Sequence, residues 1–256
     1  MSTGRLRIHA IRPQTAAYIA AMTIRPPDAE ILVLNQAIAM IVDSGAFDNM
    51  DALYFLASST DQASRINVIS PGTYNLTKTN SPRFTANVGW DANSSSGYLD
   101  TGFDPATAGG KFTRNSACMG VSVSATAATN PAIGNTGTGN SFVTPVTVSN
   151  TFAGRLNSAG SSSSANTGIG FFSAGRATSA TIRLFKNADQ ILSGAVPTNT
   201  LASSNIGILS DNSGGRYANG VTVTMAFFGR NLTGRQMLVM YQAYAVLAAF
   251  YGIALS

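Results

Sequence analysis

The residues that could make or break bonds in this sequence are few, and the counts alone remove several kinds of chemistry. His9 is the sole histidine and lies in the N-terminal arm, away from the main domain, so a Ser-His-Asp triad, a Cys-His dyad and a histidine-rich metal centre are all excluded. Cys118 is the sole cysteine, so no disulfide can form within the chain. It lies in the alternating run "NSACMGVSVSA", where a free thiol behaves as a small buried hydrophobe. Glycoside hydrolysis needs two carboxyl groups about 5–10 Å apart. Glu30, the sole glutamate, sits at the start of an expected helix and far from any expected strand. Asp91 and Asp100 flank a turn and could approach each other, although an Asp beside Asn-Ser-Ser-Ser-Gly also suits turn chemistry. The glycines of "GNTGTGN" and "GIGFFSAG" are not followed by Lys-Ser/Thr, so no phosphate loop is read there. No cofactor is expected. A Ca²⁺ site made of Asp, Asn and backbone oxygens stays open, though no cluster has EF-hand spacing.

Residues suited to binding are easier to find. Sugar recognition uses aromatic faces and planar polar groups carried on loops. Trp90, the sole tryptophan, precedes Asp91 and Asn93, and Arg216 with Tyr217 follows the Gly-rich turn "DNSGGRY". These three are the candidate glycan contacts. A tryptophan at a strand end is more often a core residue, and a purely structural role is open for Arg216 and Tyr217 as well.

Something must position those side chains. Charged residues make up 11% of the chain and hydrophobic ones 45%, which suits a turn-rich β protein and excludes disorder. "PPDAEILVLNQAIAMIVDSG" reads as a helix, with Ile31, Leu34, Ile38, Ile41 and Val42 at helical spacing and Gly45 as its stop. "DALYFLASS" reads as a buried strand, and "DQASRINVIS" as one helical turn. Strands are expected near 84–90, 97–101, 116–125, 142–149, 151–157, 168–174, 180–186, 190–195, 205–209 and 217–229, enough for a two-sheet sandwich. "TIRLFKNADQILSGAV" is the clearest hairpin, and Val221, Val223 and Met225 fall on one face of the last strand. "NSAGSSSSANTG" reads as an exposed loop tip. Thr233 and Gln236 form a capping box for a closing helix, which Gly252 ends.

Residues 1–27 read as a separate arm before a domain at 28–256. The arm holds Arg5, Arg7, Arg12 and Arg25 and no acid, while residues 28–64 hold six acids and no base. Leu6, Ile8 and Ala10 alternate with Arg5, Arg7 and His9 in strand fashion until Pro13, so Arg5, Leu6, Arg7, Ile8, Arg12 and Arg25 are the candidate anchor to another protein surface. A frayed terminus is the alternative. Four arginines without lysine runs do not make a nucleic-acid site, and no nucleic-acid partner is expected. No window approaches the roughly 18–20 apolar residues of a membrane span, and no signal-peptide pattern is present, so synthesis in a reducing cytoplasm without membrane insertion is expected.

The order of these pieces resembles structural proteins of tailed bacteriophages, prophages and gene transfer agents. The segments that carry it are "MDALYFLASSTDQASRIN", "SPGTYNLT", "SPRFTANVGWDANSSSGYLDTGFDPATAGGKFTRNSACMGV" and "FFGRNLTGRQ". The back half is also similar to laminin-G and concanavalin A-like sandwiches, through "IRLFKNADQI" and "YANGVTVTMAFFGRNLTGRQ". The resemblance implies an all-β, antiparallel jelly-roll sandwich with the N-terminal and C-terminal helices packed beside it. It implies a non-enzymatic virion component, as a tail fibre, tail-tip protein or head spike. Other virion proteins, further copies of itself (a trimer by analogy) and a host surface polysaccharide are the expected partners. A carbohydrate-active enzyme or free lectin of the same fold is the alternative. If the resemblance holds, "GYLDTGFDPATAGG" is scaffold, with Tyr98 and Leu99 on an early strand and Gly102 to Gly110 as the crossing loop into the next.

Overall fold

The computed structural model describes residues 10–93, 96–127, 130–165 and 167–255, so Arg5, Leu6, Arg7 and Ile8 of the expected arm lie outside the described residues. Where the described chain begins, it packs. Pro13 opens a helix, α1 (Pro13–Ala20), at a position where its preset φ helps and its missing N–H costs nothing. Tyr18 is buried there, edge-on to Phe55, and its hydroxyl donates to the Ala63 carbonyl at 3.1 Å. Pro13 therefore starts a helix rather than interrupting a strand, and the chain rests on the domain well before residue 28. Arg12 clasps both oxygens of Asp43 at 2.7 and 2.8 Å, and Arg25 reaches Asp28 at 2.7 Å. Two of the arm's arginines thus meet the acidic segment of their own chain. Such exposed pairs contribute about 0–1 kcal/mol each, so the buried tyrosine does more to hold the segment.

Three further α-helices follow among the described residues, α2 (Asp28–Asp43), the single turn α3 (Asp61–Ser64) and α4 (Gly234–Tyr251), with a short 3-10 turn at Phe47–Asn49. The sequence marks their ends as expected. Gly45, at φ +73°, closes α2, and Gly252, at φ +71°, closes α4. The Thr233 hydroxyl accepts from the Gln236 N–H while the Gln236 side chain accepts from the Thr233 N–H. Ile31, Leu34, Ile38 and Ile41 of α2 are buried, as are Met237, Met240, Tyr244 and Leu247 of α4.

The strands are β1 (Met50–Phe55), β2 (Thr77–Thr79), β3 (Arg83–Thr85), β4 (Gly89–Asp91), β5 (Tyr98–Asp100), β6 (Ala117–Ala125), β7 (Ile133–Asn135), β8 (Ser141–Thr144), β9 (Phe152–Arg155), β10 (Ser162–Ser164), β11 (Gly170–Arg176), β12 (Thr181–Lys186), β13 (Asp189–Ala195), β14 (Gly207–Ile208) and β15 (Thr222–Gly229). They form two antiparallel sheets. One runs β13-β12-β11-β6-β15-β4-β3 with β1 also on β15; the other runs β10-β9-β8-β7-β14-β5-β2. The expected jelly-roll sandwich, flanked by helices, is the fold observed.

Two apolar layers result. Between the sheets lie Leu99, Phe103, Val121, Val143, Phe152, Phe172, Ile208 and Phe228. Outside the first sheet, α2 and α4 cover Leu53, Phe55, Cys118, Phe171, Met225 and Phe227. This second layer corrects one expectation. Val221, Val223 and Met225 do not share a face, because the β15–β6 register shifts between Val223 and Met225. Thr224 is the extra residue. Its hydroxyl donates to the Ser122 carbonyl at 3.1 Å, and its carbonyl accepts from the Ala57 N–H at 2.9 Å. The bulge turns Val221 and Val223 toward the second sheet but Met225 and Phe227 toward the helices.

Other departures are short elements. The strand expected over 84–90 is a hairpin of β3 and β4, turned by Asn87 at φ +63°. Strand 142–149 stops at Thr144, and β2, β7 and β10 had no apolar signal strong enough to read. The serine run read as a loop tip contains β10, paired to β9. "GYLDTGFDPATAGG" is scaffold: Phe103 is in the inter-sheet core, and Asp51 holds the loop's exit by accepting from the Lys111 and Phe112 N–H groups, both at 2.7 Å. A Cβ on Gly110 would strike Phe103 and Asp51, so only glycine fits there.

The β12–β13 turn generates a test. Asn187 and Ala188 both have positive φ, +48° and +74°, as a two-residue type I′ turn requires. Asn tolerates this and Ala does not. Ala188→Gly removes a left-handed alanine costing about 1–2 kcal/mol while adding about 0.5–1 kcal/mol of unfolded-state entropy. The expected result in thermal unfolding is a Tm higher by up to roughly 4 °C. A lower Tm would show that the turn is not built this way.

Candidate functional site

The three candidate glycan contacts do not come together. Trp90 is fully buried in β4, its Nε1–H donates to Ser64 Oγ at 2.9 Å, and its ring packs on Phe84 at 5.3 Å. It is a core residue, and its expected role as a sugar contact is corrected: β4 lies beside β15 in the first sheet, so the ring faces the interior. Arg216 and Tyr217 are on a loop that returns on itself. Leu209, at φ +68°, sends the chain out, and the Ala218 N–H closes the loop on the Leu209 carbonyl at 2.8 Å. A left-handed leucine is strained and must be held there by the structure around it. Tyr217 bridges back to Ser210, and its ring sits 6.1 Å from that of Tyr98.

Beyond this loop the chain enters a polar cleft of about 400 Å³, lined by Arg83, Asp91, Asn93, Asn219, Gly220 and Thr222. Asp91 organises one wall. One of its oxygens accepts from Arg83 at 2.9 Å and the other from the Asn93 N–H at 2.8 Å. Opposite it, among the described residues, the Asn219 carboxamide and Thr222 hydroxyl have no hydrogen-bond partner. The arrangement offers a planar amide, a hydroxyl and a charged pair at a solvent opening. Sequence reading singled out Asp91 and Asn93 but missed Asn219 and Thr222, which lie more than a hundred residues away and meet them only through the β15–β4 pairing.

A second polar surface lies on the outer face of the second sheet. Asp100, Gly207, Gly134, Phe142 and Arg155 are directly opposite one another across β5, β14, β7, β8 and β9, and so share one face. Arg155 lies over the Phe142 ring at 5.2 Å, and Arg216 reaches the same ring at 5.8 Å. Arg216 also pairs with the buried Asp211 at 2.9 Å, close but without hydrogen-bond alignment. Arg155 has no acidic partner among the described residues, and its Nε is buried without an acceptor. Burial, and then the charge of Arg216, lower its guanidinium from the ordinary value.

The residues considered for catalysis do not form a carboxylate pair. Asp91 and Asp100 are on different sheets, and Asp100 accepts from the Gly102 N–H at 2.8 Å. Glu30 is buried and accepts from the Tyr251 hydroxyl at 2.7 Å, tying α2 to α4. Burial pushes the Cys118 thiol up, away from thiolate chemistry. Among the described residues, no three His, Cys, Asp or Glu side chains gather as a metal site.

No family model matches the sequence, and no curated protein matches it. Solved structures do. A Trypanosoma rangeli sialidase in complex with sialic acid is similar over 85% of this chain and 39% of its own, with a TM-score of 0.57 at 12% identity. The ligand-binding domain of botulinum neurotoxin serotype D, in complex with N-acetylneuraminic acid, is similar over 79% of this chain and 52% of its own, with a TM-score of 0.53 at 9% identity. This chain therefore spans about two fifths of the sialidase. At such identities the likeness defines the class of protein by fold alone: a two-sheet antiparallel β-sandwich.

The loop makes a stability prediction. Arg216→Ala leaves the Asp211 carboxylate buried and unpaired, at a cost of about 1–3 kcal/mol. Adding Asp211→Asn removes that charge and is expected to restore at least half of the loss in denaturant unfolding. Additive losses in the double variant would contradict the pairing.

Proposed function

We propose that this protein is a non-catalytic carbohydrate-binding sandwich carried on a virion, which contacts a bacterial surface polysaccharide through the cleft at Arg83, Asp91, Asn93, Asn219 and Thr222. The observation that carries the reading is the unpartnered Asn219 amide and Thr222 hydroxyl facing an Asp91–Arg83 pair across a cleft of sugar size. Sugars are bound by such planar amides and carboxylates, because each hydroxyl can both donate and accept. The two fold neighbours, each solved with a sialic acid, support a sugar as the ligand class. The engagement of Asp91, Asp100 and Glu30 in structural contacts supports binding without hydrolysis.

The virion role has its support in the phage-like segments of the sequence and in the helical layer. From Gln236 to Ser256 the chain has no charged residue, and Leu32, Leu238 and Phe250 are exposed large apolar side chains on α2 and α4. A low-charge helical layer of this kind suits docking onto other virion proteins or onto further copies, a trimer by analogy with phage fibres. The basic residues that precede α1 in the sequence, Arg5 and Arg7 among them, then serve as the anchor to the particle.

A single shallow site of this type gives millimolar to micromolar affinity, and several copies on a particle raise it about 10²–10⁴-fold. The test is an array of bacterial polysaccharides, read with an assay for released reducing ends. Wild-type protein should bind at least one polysaccharide and release nothing. Asn219→Ala and Thr222→Val should each weaken that binding about two- to tenfold, the loss of one hydrogen bond. Undiminished binding by both variants would move the site elsewhere, and released reducing ends would make the protein an enzyme.

A further inference from the structure

We infer that the outer face of the second sheet holds a separate subsite for the carboxylate of an acidic sugar, with the guanidinium groups of Arg155 and Arg216 as donors and Phe142 as its floor. The inference rests on the carbohydrate reading but concerns a different surface. Two guanidinium groups lie on one aromatic ring, at 5.2 and 5.8 Å from its centroid. Stacking on the ring accounts for one such contact. It does not account for two like charges brought together where Arg155 is half-buried and Phe142 only 7% exposed. The acids at hand balance one of them: Asp211 pairs with Arg216, and among the described residues no carboxylate pairs with Arg155. The imbalance of one positive charge is what a bound carboxylate would remove.

The surroundings fit a sugar acid better than a bare anion. In the row across the sheet, Gly134 and Gly207 stand between Phe142 and Asp100, both are buried, and Ser210 and Asn212 of the 209–218 loop lie over Gly207. Asn212 lies beside Gly207, and its amide donates to the Asn205 carbonyl at 3.2 Å. Asn205 in turn donates to Asp100 at 3.3 Å. A carboxylate held at the arginines would direct the hydroxyls of its ring toward this line of amides and the Asp100 carboxylate. Arginine rather than lysine matters here, since its planar fork both stacks and binds a carboxylate through two N–H groups.

The test is calorimetric titration of the full chain with a glucuronate-containing oligosaccharide and its carboxyl-reduced counterpart, and with a sialyl-oligosaccharide and its methyl ester. At least one acid should bind about tenfold or more tightly than its neutral partner, the worth of a charge-assisted hydrogen bond. Arg155→Met, and to a lesser degree Arg155→Lys, should abolish that preference. Asp211→Asn frees Arg216 and should strengthen acid binding, which a merely structural Asp211 would not do. Equal binding of an acid and its neutral partner, or a preference that survives in a folded Arg155→Met, overturns the subsite and leaves the cleft reading standing. Binding of neither form removes both. Loss of acid preference with Asn219→Ala but not with Arg155→Met would assign the carboxylate to the cleft and also overturn the inference.

Discussion

The pairing of β15 with β6 is the interaction on which the other elements depend. Both strands run through the middle of a sheet that is dry on each side, with the second sheet below and α2 and α4 above. A sheet face left open would expose Phe171, Phe227, Met225 and Leu53, so the helices are part of the fold rather than an addition to it. Burying one large apolar side chain contributes about 1.5–3 kcal/mol, and four such residues outweigh any of the surface ion pairs. Thr224 shows how tightly the two layers are coupled. One extra residue redirects every later side chain of β15, and the same residue's carbonyl receives Ala57 just beyond β1.

From that centre the binding surfaces follow. β15 pairs with β4 at Thr222 and Val223, which brings Asp91 and Asn93 beside Asn219 and Thr222. Immediately before β15, the strained Leu209 and the Ala218 N–H close the loop that lays Arg216 over Phe142. One stretch of chain, residues 209–222, thus supplies a wall to the cleft and an arginine to the outer face of the second sheet. Both surfaces are built in the same way: each adjoins strands whose other side chains are in the core.

Much of the fold was legible because its signals are local. The α2 periodicity, the capping box at Thr233 and Gln236, and the Asn-Ala turn of β12 and β13 are each contained within about twenty residues. The bulge at Thr224 was not legible, since a register shift depends on what β6 and the helices present to both faces. Short strands such as β7 and β10 owe their pairing to neighbours rather than to their own Gly, Asn and Ser. α1 was read as part of an arm because Pro13 signals a strand break as readily as a helix start, and burial of Tyr18 settles it. The site was legible in part. Asp91, Asn93, Arg216 and Tyr217 stood out by type and by their turns, but Trp90 shares that signature and is core. Phe142 and Arg155 gave no signal, as their meeting with Arg216 depends on cross-strand register.

The central claim, that sugar is met at this end of the sandwich, is tested most directly by amide chemical-shift mapping during titration with fragments of a bound polysaccharide. The account predicts that the largest shifts cluster at residues 83, 91–93 and 216–222 while the amides of α2 and α4 stay still. Shifts centred on the helical layer, or spread evenly over the chain, would contradict it.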